Sequence, residues 1–525
     1  MEIVGRARRK KCDEQSPSCG KCVKSKRVCS WPGKDDLLDR RHQRAFKSPN
    51  PPLKRPAAVP VQRRPLLVSE LSSVGKASPF FVCREVSINT DLFNSDKFTS
   101  DLEVDCFRHF LEEFLPLLLL SSAHPGFQSA YIPEVVHMLL EFDGLRDVAL
   151  ACGASHLHVS TANLQMHEAG IMYYSRAVSK VNQVLGNIDW SRDRYNDAIL
   201  ICITFLYIHG VSLPCSSGRE LLIDISVTDY VVYQVFAIGT NQDIPKHVNG
   251  AIQLMKLRCA KSQSSPLARP IHRIIWESIL YQVFRQTVRH PFAVDFQPDF
   301  DFVARAEGIL QALTFPDGSQ ADNSPVIGFP LSLQKFIIAI VQLCKRPFEP
   351  DRHGLHKLHE EMEYWEGSIL QQGHCIKQEG HGSSTWTPSE RARLFQQHST
   401  SLHILAASLL LDWVSRSQEV PHKSRTNLPP PNNSWQVSRA LQIMRCPQAS
   451  EDWSRCYLGS WPALIFGYAV GTPENVALIR WDLEQRFRKL YSVEELEFLS
   501  ELESIWRTRG ISSRGHSSST GSECE

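Results

Sequence analysis

The sequence predicts an all-α protein: a small metal-held module at the amino terminus, a flexible linker and one large helical domain. Three observations predict it. Apolar residues recur at helical spacing through most of 98–508, the mark of helices with one buried face. Alternating apolar and polar runs, the mark of strands, are rare there. Residues 33 to about 95 are instead rich in Pro, Lys, Arg and Ser, a composition that cannot bury a core. At 525 residues the chain has room for one large domain or two ordinary ones, plus tails.

The first element, residues 1–32, carries Cys12, Cys19, Cys22 and Cys29 in the spacing C-x6-C-x2-C-x6-C. A C-x2-C pair brings two sulfurs to one metal on a tight turn, and six-residue flanks let two outer thiolates complete a tetrahedron. Neighbouring Lys and Arg favour the thiolate and so metal capture. The expected metal is Zn2+. Residues 1–65 hold 18 basic and 6 acidic side chains, a net of +12, against 40 basic and 50 acidic in the rest, a net of −10. A basic tip on an acidic body suits a binder of double-stranded DNA with a separate regulatory domain.

These residues resemble the DNA-binding head of the fungal binuclear zinc-cluster transcription factors. That pattern has six cysteines: C-x2-C-x6-C, a loop usually carrying proline, C-x2-C, and a last cysteine six to eight residues on. Cys12, Pro17, Cys19, Cys22 and Cys29 match it, and the basic run Arg6 to Lys11 matches the first recognition segment. The resemblance implies a short helix in the major groove reading a CGG-type triplet. By position Arg8 and Arg9 fall on the base readers, where Arg can grip guanine O6 and N7 with paired hydrogen bonds. Arg6, Lys10, Lys11, Lys21, Lys24, Lys26 and Arg27 are assigned to phosphates, which supply affinity and salt dependence rather than sequence choice.

The chain departs from the pattern at its start. The first two cysteines would fall at Glu2 and Gly5. In the family six thiolates hold two zinc ions with two bridging sulfurs. Carried over, Cys19 bridges, and one ion keeps only Cys12 and Cys19, the other only Cys19, Cys22 and Cys29. A single zinc on all four is chemically possible, in a different geometry. Small zinc modules draw folding energy from their metal, so the loss should leave this head weakly folded. The expected cause is a gene-model error: Gly5 can be the tail of a split cysteine codon, with the missing C-x2-C upstream.

Residues 33–97 read as an extended linker, with Pro49, Pro51, Pro52, Pro56, Pro60 and Pro65. No heptad repeat marks a dimerising coiled coil; whether the chain acts alone, as a homodimer or as a heterodimer stays open.

The helical domain spans 98–508. Phe107, Phe110, Leu111, Phe114 and Leu117 lie at helical spacing, as do Ile171, Tyr174, Val178, Val181 and Leu185. Further helices are expected at 130–142, 145–160, 195–209, 247–258, 270–289, 331–345, 355–371, 389–416, 435–446, 460–470, 474–490 and 493–508. Loops are expected at 373–388 and 421–434, and 509–525 is a serine-rich tail expected to be disordered. The body resembles the fungal-specific regulatory domain that follows many zinc clusters, on Ala154-Ser-His-Leu157, Tyr173-Tyr-Ser-Arg-Ala-Val178, His247-Val-Asn-Gly-Ala251, Trp461-Pro-Ala-Leu-Ile-Phe-Gly467 and Leu502-Glu-Ser-Ile-Trp506. The resemblance implies a regulatory role and contacts with the transcription machinery.

One segment does not fit the bundle. Val211-Ser212 is what a splice donor encodes, Thr228-Asp229 can hold a branch sequence, and Gln234 can be an acceptor. The 24 residues 211–234, about 72 nucleotides in frame, read as a retained intron.

Enzyme signals are weak. His359-Glu-Glu-Met-Glu lacks the second histidine of a zinc-protease helix and reads as a solvated face. Gly515-His-Ser-Ser-Ser is no nucleophile elbow, and no phosphate-binding Gly loop occurs. His156 and His158 read as satisfied core groups, and Trp365, Trp386, Trp413 and Trp435 as core or interface. Eleven other cysteines are scattered, several in apolar runs such as Cys152, Cys202 and Cys344, the habit of a reducing compartment. The charged start is no secretory signal. No apolar run reaches about 18 residues, so no membrane partner is expected. Arg6 to Lys11 would serve nuclear import.

Overall fold

A computed structural model describes residues 98–186, 193–212, 244–261, 266–292, 296–345, 352–377, 387–416, 434–446, 453–454 and 456–511. All lie in the unit Asn89–Glu525. Every regular element among them is helical. The linker expected at 33–97 lies outside them.

The first helix, α1 (Asp101–His109), is set by its entry. The Ser100 hydroxyl accepts the Glu103 amide, and the Glu103 carboxylate reaches back to the Thr99 amide at 2.7 Å, satisfying donors that a helix start leaves orphaned. The chain then runs through a π turn, Phe110–Phe114, into a 3-10 turn, Leu115–Leu118. Pro116 has no amide to extend an α-helix. Phe107, Phe110, Leu111 and Phe114 are buried as their spacing requires, while Leu117 is half-buried.

Four helices follow in a tight group: α2 (Pro125–Glu141), α3 (Asp143–Thr161), α4 (Leu164–Leu185) and α5 (Asp193–Ser212). Small residues let α3 sit deep. A Cβ on Gly153 would lie 2.1 Å from the Cys106 carbonyl oxygen, so α1 and α3 approach backbone to backbone. The α3 helix stops at Ala162, which takes the left-handed φ of 53°.

The second half is built around α7 (Pro270–Val288), buried on nearly every face. It packs on α2, α5, α6 (Ile244–Lys261), α8 (Phe300–Leu310) and α9 (Leu331–Lys345). Its Arg273 and Glu277 pair at 2.9 Å. Arg273 also donates to the Leu310 and Ala312 carbonyls, and Glu277 accepts the Val326 and Ile327 amides and the Ser324 hydroxyl. One buried pair thus pins the whole 310–327 loop. Such pairs hold only when the remaining donors and acceptors are satisfied, as they are here.

Next come α10 (Arg352–Lys377), α11 (Pro388–Arg416), α12 (Trp435–Met444), α13 (Ser460–Ala469), α14 (Pro473–Leu490) and α15 (Val493–Thr508). Trp506 of α15 is 1% exposed and donates to the Gly467 carbonyl at 2.8 Å. Burying it removes about 200 Å² from water, on the order of 5 kcal/mol.

Most expected helices are present with ends shifted by a few residues. Two differences stand out. The helix α8 was not expected, although Asp299 caps it and Phe302, Val303, Ala306 and Leu310 form its buried face. The loop expected from 373 begins later, because α10 continues to Lys377.

Candidate functional site

Cys12, Cys19, Cys22 and Cys29, and the nine basic residues assigned to DNA, lie outside the described residues. Among the described residues no group of three or more His, Cys, Asp or Glu is placed to hold a metal ion. The site that the described residues do build is a cavity of about 110 Å³ between α7 and the α14–α15 junction.

Its floor is α7. Ser278, Gln282 and Arg285 stand at i, i+4 and i+7, which puts them on one face of the helix. The sequence analysis did not single out that polar stripe on a buried helix. Tyr131 of α2, Tyr207 of α5 and Tyr281 of α7 supply aromatic walls, joined by Tyr457. Phe114 and Leu118 close one side. Ser492, Glu494 and Glu495 close the other, positioned by Tyr491, whose left-handed φ of 48° ends α14.

The charges are unevenly matched. Arg285 donates through Nε to Glu494 Oε2 at 2.8 Å, with a second guanidinium nitrogen also at 2.8 Å. Glu495 accepts the Ser460 hydroxyl on Oε1 at 2.7 Å and forms no ion pair among the described residues. Burial pushes its carboxyl up, the neighbouring Glu494 adds to this, and the Ser492 and Ser460 hydroxyls and Arg285 pull back. Three buried atoms on the wall make no hydrogen bond: Gln282 Oε1, Glu494 Oε1 and Glu495 Oε2.

Beside the cavity the motif segments meet one another. Ser155 of α3 bonds to His209 of α5 at 2.9 Å, Tyr174 of α4 stacks on the His209 ring, and the Tyr174 hydroxyl meets His247 of α6 at 2.9 Å. Gly467 and Leu502 touch so closely that a Cβ on Gly467 would lie 2.4 Å from Leu502 Cδ1. The segments that carried the sequence resemblance are therefore contact surfaces of one core. A model of the fungal specific transcription factor domain matches residues 105–512.

The chain belongs to this family.

The fungal specific transcription factor domain marks a regulator of transcription. No curated protein and no solved structure matches the chain. His359 bonds to Ser415 at 2.9 Å, while Glu360, Glu361 and Glu363 are exposed. His158 is satisfied by the Asn163 carbonyl, as expected. His156 is only half satisfied: Nδ1 meets His109 at 2.6 Å and Nε2 has no hydrogen bond. Trp413 is core and Trp365 half-buried, but Trp435 is 41% exposed; Trp386 lies outside the described residues. Cys152, Cys202 and Cys344 are buried. Among the described residues no helix is long and apolar enough to cross a membrane.

Proposed function

We propose that this chain is a zinc-dependent, sequence-specific DNA-binding regulator of RNA polymerase II genes, reading CGG-type triplets in the nucleus. The observation that carries this is a conjunction: four cysteines at metal spacing in a basic stretch, on the same chain as the regulatory domain at 105–512. Four thiolates match one tetrahedral zinc in number. Cys12, Cys19, Cys22 and Cys29 would hold it, and the metal would fold the tip so that Arg8 and Arg9 meet base edges. Arg6, Lys10, Lys11, Lys21, Lys24, Lys26 and Arg27 would neutralise phosphates. Partners would be double-stranded DNA and the transcription machinery.

A second reading has its own observation. Glu2 and Gly5 stand where two cysteines would, so the chain could act through the helical domain alone, as an interaction protein that has lost DNA binding. Zinc content and gel shift on a CGG-bearing duplex separate the two, with the full chain as written beside a version carrying C-x2-C at positions 2–5. Zinc and a shift in both, lost on Cys22→Ser, support DNA binding. A shift only after restoration supports the second reading for the chain as written. No shift in either overturns the first.

A further inference from the structure

We propose that the α7–α15 cavity binds a small organic amine, its ammonium head held by Glu495 and Gln282 and its apolar body lying against the tyrosine walls. Shape comes first. A cavity of about 110 Å³ holds a molecule of about ten non-hydrogen atoms, since a water-sized group takes roughly 10–15 Å³ of such space. It is also selective in chemistry. Gln282 Oε1 and Glu495 Oε2 are acceptors on side chains more than nine-tenths buried, and neither has a hydrogen-bond donor. A buried acceptor left without a donor is costly, so two around one space call for a donor-rich guest.

Charge narrows the class further. Arg285 is committed to Glu494, and Arg289 to Glu497 with Glu494 Oε1 at 3.6 Å from its Nε. Glu495 is left with the Ser460 and Ser492 hydroxyls and forms no ion pair among the described residues. An ammonium supplies three donors and one positive charge at once. The surrounding Tyr131, Tyr207 and Tyr281 faces favour a cation. A carboxylate guest would instead face Glu494 and Glu495 and repeat their sign.

The test is thermal unfolding of the full chain with three probes of one shape: 2-phenylethylamine, 2-phenylethanol and phenylacetate. The amine should raise the midpoint saturably, because a ligand bound only to the folded state stabilises by mass action, while the other two should not. Glu495→Gln should weaken the amine roughly tenfold or more. Ser278→Leu, which fills the cavity without touching a charge, should abolish the shift. Equal shifts from all three probes, no shift from the amine, or an amine shift retained in Ser278→Leu would overturn the proposal; if Glu495→Gln fails to fold, Ser278→Leu decides. No DNA or zinc enters the measurement, so it stands or falls apart from the DNA-binding reading.

Discussion

Arg285 and Glu494 face each other at 2.8 Å although 209 positions of chain separate them. The pair joins α7 to α15 at the cavity wall. Removing one member of a buried pair leaves the other's charge stranded, at about 3–5 kcal/mol. Glu494→Gln should therefore lower the unfolding free energy read from a urea titration by that amount, with the slope unchanged. Arg285→Met with Glu494→Leu should recover most of the loss. A double variant no better than either single one would show that the pair is not the source of the cost.

Acid should unfold the domain early. Burial holds His156 and His209 down to about 3 and His398 and His403 down to about 4. In the unfolded chain each takes its proton near 6.5. Below that value the unfolded state binds more protons, so the stability these groups confer is complete above it. It drains as the pH falls toward 4, at up to about 1.4 kcal/mol per pH unit for each. Glu277, Asp482 and Glu495 are pushed up by burial and oppose the trend once the pH enters the range just above ordinary carboxylates. Urea midpoints at pH 7.5 and 5.5 check this; identical midpoints would refute it, and His209→Gln should flatten the slope.

On DNA, Arg9→Ala should relax triplet preference by roughly 1–3 kcal/mol of discrimination. Lys24→Ala should instead weaken every sequence alike and reduce the salt slope by about 1. Binding across a panel of variant triplets reads both. Equal losses from the two changes would contradict the division of labour.

The segment 211–234 should be dispensable. His209 near the end of α5 and His247 near the start of α6 both touch the Tyr174 ring, at centroid distances of 4.9 and 6.3 Å. The nine residues 235–243 can reach about 30 Å, far more than that junction needs. A chain lacking 211–234 loses only the last two residues of α5, Val211 and Ser212, and should keep its urea midpoint. Full-length transcripts carrying codons 211–234 would remove the retained-intron explanation, whatever the variant does.

Much of the helical body could be read from the sequence because its helices obey one local rule. The face of Phe107, Phe110, Leu111 and Phe114 is a spacing, and 331–345 is a long apolar-rich stretch with one buried side that sets both ends. The α8 helix was missed because Pro298 and two aspartates outweigh four apolar positions when no neighbour is known. The cavity was missed for a different reason. Glu494 and Glu495 read as an ordinary acidic first turn of a helix. Only their meeting with Arg285, Gln282 and Ser460 turns them into a wall, and no local pattern reports a partner two hundred residues away.

Glu494, Glu495 and Trp506 belong to a helix that leaves the ribosome long after α7 has been made. Nascent chains stalled before residue 493 would carry the cavity floor without its α15 wall. The Arg285 guanidinium thus waits for its carboxylate until synthesis has passed the start of α15.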